Sequence, residues 1–123
     1  MIPSRWPCSM RSPGENNMAK YLFEAHYGAE GVKGLAKEGG SGRRAAITKM
    51  AEVLGGRLEM FYYAFGDVDA YVVVDVPDSV TATAMALAVN QTGAVTVKTV
   101  VLITPEDVDK AGKKVVDYRA PGR

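Results

Sequence analysis

A chain of 123 residues, 47% apolar and 24% charged with a net charge of +1, has room for one domain and one core. That near-neutral balance gives no electrostatic case for nucleic acid, where a basic face is expected, and no apolar run approaches the about 20 residues that span a bilayer. A single cysteine, Cys8, and a single histidine, His26, exclude a disulfide framework and a thiolate-rich metal centre, so neither a metal nor another cofactor is expected.

Residues 1–17 are rich in Ser, Pro, Asn and Arg and follow neither the helical nor the strand period. They are expected to form a disordered extension, with Trp6 and Cys8 exposed rather than functional. They also lack the apolar block of a secretory signal, and the expected address is cytoplasmic. Met18 opens the first patterned segment and is a second candidate start. The domain is expected to run from 18 to 123.

Ala19 to Tyr27 alternates as a strand, with Tyr21, Phe23, Ala25 and Tyr27 on one face and Lys20, Leu22, Glu24 and His26 on the other. Gly28 to Gly40 holds a short helical turn with Val32, Leu35 and Ala36. Gly39-Gly40-Ser41-Gly42 reads as a flexible connection, because it lacks the Lys-Ser or Lys-Thr of a phosphate loop. Ser41 is the expected N-cap of the first full helix, whose stripe is Ile47, Met50, Ala51 and Leu54 and whose stop is Gly55-Gly56.

Leu58 to Ala64 reads as strand two, with Leu58, Met60, Tyr62 and Ala64 alternating against Glu59, Phe61 and Tyr63. A short turn, Phe65 to Asp69, returns strand three antiparallel to it, with Val72, Val74 and Val76 facing opposite to Tyr71, Val73 and Asp75. Pro77 ends the ladder and Asp78 caps a helix to about Gln91, with Val80, Ala84, Leu87 and Ala88 expected to pack on the sheet. Val95 to Thr104 is strand four. Thr104-Pro105-Glu106-Asp107 then starts a short last helix with a cap, a proline in the first turn and two acids.

The order strand, helix, strand, strand, helix, strand is the βαββαβ arrangement, an α+β, ferredoxin-like domain with a four-stranded antiparallel sheet. Right-handed crossovers are expected to set strands one and three together at the centre, running parallel to each other. Both helices then cover one sheet face. The other, carrying Leu22, Tyr71, Val73, Val100 and Leu102, is left for a second copy, so a homodimer or higher homo-oligomer is expected.

The ordered set Glu30-Gly31-Val32-Lys33-Gly34-Leu35, Gly55-Gly56, Phe65-Gly66-x-x-Asp69, Pro77-Asp78 and Leu102 to Asp109 resembles the GYD domain family, small bacterial proteins of the dimeric α/β barrel type. Val68 stands where the family motif has its tyrosine, and Gly28 where a threonine precedes Ala-Glu-Gly. The resemblance implies two sheets closing into a barrel and supplies no substrate.

The candidate chemistry is the polar minority of the open face. His26 and Glu24 are the candidate catalytic pair, and Tyr71, Asp75 and Lys98 the candidate ligand-binding residues. A histidine beside carboxylates can act as a base near neutral pH. Asp69 joins the ligand-binding candidates because the family motif falls on it, although two acids in a turn more often cap backbone amides. Two functions fit this pattern. One is a homo-oligomeric small-molecule-binding or sensory module using the inter-sheet cavity. The other is a cofactor-free enzyme resembling the dimeric-barrel monooxygenases. The expected partners are a second copy and a small organic ligand, with neither nucleic acid nor membrane.

Overall fold

The structure, a computed structural model, describes residues 18–123. Trp6, Cys8 and the expected disordered extension lie outside those residues. Four strands, β1 (Ala19–Tyr27), β2 (Arg57–Tyr63), β3 (Ala70–Val76) and β4 (Val95–Leu102), form one sheet in the order β2-β3-β1-β4. Four helices accompany them: α1 (Ala29–Glu38), α2 (Gly40–Val53), α3 (Ser79–Asn90) and α4 (Pro105–Gly112). The α+β, ferredoxin-like architecture is as the pattern implied.

The central pair is antiparallel, not parallel, as are all the pairings of the sheet. The reason is topological. Each helical crossover skips one strand, so β1 matches the direction of β2, and β3 that of β4. The β2–β3 hairpin then forces the neighbours β1 and β3 to oppose each other.

Gly28 to Gly40 is no mere turn. Ten residues form α1, and Gly39, with φ of +93°, both ends that helix and precedes the next. The helix α2 therefore begins at Gly40, with Gly39 rather than Ser41 in the cap position and no side-chain cap, and the expected flexible connection is helical. At the other two sites the expected caps hold. Asp78 accepts from the Thr81 amide at 2.8 Å, and Thr104 from the Asp107 amide at 3.1 Å. The Thr81 hydroxyl and amide hydrogen bonds hold the Asp78 carboxyl below its ordinary range.

The core lies between the sheet and the helices, from Tyr21, Phe23, Val72, Val74 and Val76 to Ala51, Ala82 and Met85. Ile47, Met50 and Leu54 pack around it from α2, as their spacing required. On α3 the buried stripe is Ala82 and Met85 with Ala86 beside them, while Val80 and Leu87 are 75% and 63% exposed. The expected stripe was the wrong side. An alanine-rich helix is apolar all round, so its own pattern cannot choose the buried face.

Strand β2 holds a second correction. Leu58 pairs with Val74 but Met60 pairs with Val73, so Glu59 is an extra, unpaired residue: a β-bulge. Leu58, Phe61 and Tyr63 therefore share the helix side, and Met60 and Tyr62 the open side, which breaks the expected alternation.

Candidate functional site

The registered pairs lay out the open face in rows. Arg57, Asp75, Lys20 and Leu102 form the first, and Met60, Val73, Leu22 and Val100 the second. Tyr62, Tyr71, Glu24 and Lys98 form the third, and His26 lies one step further, opposite Thr96. An unbroken apolar row thus crosses the sheet between two polar ones.

The candidate residues divide accordingly. Glu24 lies between Tyr71 and Lys98, with His26 two residues along the same strand and face. Asp75 does not join them; it stands at the opposite end of β3. Buried at 4% exposure, it accepts from Lys20 Nζ at 2.8 Å and from Arg57 Nε at 2.8 Å, and Lys20 also meets Glu59. The hydrogen bond it donates to Asp75, then that to Glu59, raises the Lys20 ammonium above its ordinary pKa. A buried carboxylate held by two cations is a clasp across β1, β3 and β2.

Asp69 closes the β2–β3 turn onto β1. Its carboxylate accepts from the Tyr27 amide at 2.8 Å, and its own amide donates to the Ala25 carbonyl at 2.9 Å. Phe65, in the same turn, adopts φ of +56°, an uncommon conformation for a residue with a side chain. Its ring stacks on Tyr63 at 5.8 Å, and Tyr63 meets Phe61 at 5.1 Å.

Those aromatic residues lead to a place the sequence reading missed, on the helix side of the sheet. A slot of ≈ 40 Å³, lined mainly by Phe23, Ile47, Met50, Phe61 and Met85, lies between β1, β3, α2 and α3. A wider groove of ≈ 390 Å³ lies between α1, α2, α3 and the start of β4. Tyr27, Arg43, Ile47, Met50, Val89 and Val95 line both. Arg43 precedes Ile47 by one helical turn, so extending the apolar stripe backwards by four residues would have found it. The groove was not signalled in the sequence, because only a short helical turn was expected where the ten-residue α1 forms.

Tyr63 lies on the same side of the sheet next to Phe61, its hydroxyl donating to the Gly40 carbonyl at 3.2 Å. Burial, reinforced by the nearby Tyr27, pushes the Tyr63 phenol up to about 12. Tyr63 is therefore expected to ionise late in an alkaline titration of tyrosinate absorbance, and Tyr63→Phe to remove that step. Because the folded-state value lies above that of a free phenol, its stabilising effect is intact below about pH 10 and is lost as pH rises toward 12. Solvent screening of the partly exposed ring holds the expected loss to about 1–2 kcal/mol over that window.

Among the described residues no His, Cys, Asp and Glu cluster has the makings of a metal site, and no helix is long and apolar enough to cross a membrane.

The sheet order, the two crossovers and the turn closed by Asp69 define a small ferredoxin-like protein of the α+β class. The model of the GYD domain matches residues 21–111, and the chain belongs to that family. No curated protein and no solved structure matches it.

Proposed function

We propose that the chain is a homo-oligomeric small-molecule-binding or sensory module, its copies meeting on the open sheet face. The observation that carries the assembly is the apolar row Met60, Val73, Leu22 and Val100, which leaves Met60 and Val100 each 38% exposed on either side of the buried Val73. Apolar rows of this kind gain by contact with another apolar surface. A second copy would also turn the third row, with Tyr71 and Lys98, into the lining of an inter-sheet space. Binding is supported still better by the slot and groove beneath the helices, which combine an apolar lining with a few polar groups, as ligand pockets do.

Native mass spectrometry tests both parts. The expected result is an even-numbered oligomer that retains a discrete extra mass when purified gently from its own host. Leu22→Lys and Val100→Lys should each yield monomers, because burying an unpaired ammonium weakens association roughly a hundredfold or more. A wild-type monomer at micromolar concentration would end the assembly reading.

A cofactor-free enzyme is the second reading, favoured by Glu24 standing between Tyr71 and Lys98 with His26 beside them. It requires a turnover that His26→Ala abolishes.

A further inference from the structure

We infer that the slot and groove beneath the helices take a small monocarboxylic acid, its carboxylate on the Arg43 guanidinium and its apolar body along the groove. This deepens the small-molecule reading and rests on it. Among the described residues the slot has a single charged lining residue, Arg43, with side chains that are otherwise apolar or aromatic. The same arginine lines the groove, so it marks where the two meet.

The state of that arginine points to an acid. Its side chain is 29% exposed, and its ion pair, with Glu38, is long at 3.8 Å. Such a pair is too extended for a good charge-assisted hydrogen bond, which would be about 2.7–2.9 Å. The guanidinium carries five N–H donors in a planar fork that matches a carboxylate's two oxygens. A half-buried fork with a distant partner has donors left for a ligand, and Glu38 is the group that ligand would displace.

The dimensions select the body. The groove, at ≈ 390 Å³, lies within the range of about 300–1,000 Å³ usual for small-ligand sites. The slot admits no more than the tip of a chain or a branched end. Glu30 and Glu38 also line the groove and disfavour a second negative charge, which argues for one carboxylate rather than two.

The test uses the full chain, methyl-labelled at methionine. Hexanoate, octanoate and phenylacetate are each titrated beside the corresponding primary amide. Met50 and Met85 line the slot and Met60 stands on the open face, so the three methyl signals report where a probe sits. The acids are expected to shift Met50 and Met85, binding roughly tenfold or more tightly than the amides. Arg43→Gln should erase that difference, and Arg43→Lys should keep part of it. Glu38→Gln should tighten the acids, a gain that a misfolded variant could not produce.

Equal binding of acid and amide at Met50 and Met85 would overturn the acid inference and leave the small-molecule reading standing. Shifts confined to Met60 would overturn it by placing the ligand on the open face. No shift from any probe would overturn it as well, while a retained mass in native spectrometry would still uphold the broader reading.

Discussion

Gly56→Ala is expected to cost about 3 kcal/mol, the top of the range for overpacking, and to lower the melting temperature by about 10 °C. Gly56 lies between α2 and β2, its amide donating to the Ala51 carbonyl at 2.8 Å. A Cβ there would stand 2.8 Å from Val76 Cγ1 and closer still to the Asp75 carbonyl oxygen. A side chain can rotate away from such a clash, but the backbone of the central strand cannot. The two strands would have to part beside the Asp75 clasp, disturbing its bonds to Arg57 and Lys20. Two neighbours separate space from conformation. Gly55 has φ of +85°, and a Cβ added to it would meet no atom nearer than Pro77 Cγ at 3.7 Å. As alanine it should cost about 1 kcal/mol, through backbone strain alone. Gly66, with open space around it, should cost little. Urea denaturation of the three variants checks the order, and equal losses at Gly56 and Gly66 would refute the close-approach explanation.

The second large effect is expected on α3. Met85→Ala should cost about 3 kcal/mol in the same measurement, through lost burial and the cavity left behind. Met85 is 1% exposed and touches both the core and the slot. Because the slot already provides free space beside it, the cost should stay below the upper end of about 5 kcal/mol for such truncations. Leu87→Ala, on the opposite side of the same helix, should change stability by less than about 0.5 kcal/mol. The pair reports which side of α3 faces the sheet. A larger loss at Leu87 than at Met85 would reverse the orientation.

That orientation shows where sequence reading reaches its limit. The strands were legible because alternation, turn glycines and Pro77 agree on them, and β1 was delimited to the residue. The cap residues Asp78 and Thr104 were legible because capping is local chemistry. The direction of β1 against β3 was not local, and required following which strand each crossover skips. The buried face of α3 was not written in its own residues, since Val80 and Leu87 are as apolar as those it buries. The site divided in the same way. Glu24, Tyr71 and Lys98 were placed together by parity in strands that keep their period. Asp75 shares that parity but sits four residues along β3, where its neighbours are Lys20 and Arg57. Parity gives a face and not a distance along it. The slot required tertiary structure, because Phe61, Arg43 and Met85 come from three separate elements.

The bulge at Glu59 has a consequence for how the chain can change length. Leu58 and Met60 already oppose consecutive residues of β3, Val74 and Val73, as they would if they were adjacent in the chain. Losing Glu59 would therefore cost its contact with Lys20 but reverse no side chain: Leu58, Phe61 and Tyr63 would still look inward, and Met60 and Tyr62 outward. Removing a paired residue such as Tyr62 would instead draw Glu59 into the ladder and turn the side chains between the gap and the bulge to the opposite face. A single-residue gap is thus tolerable at one point of this strand, and its place is set by register rather than by exposure.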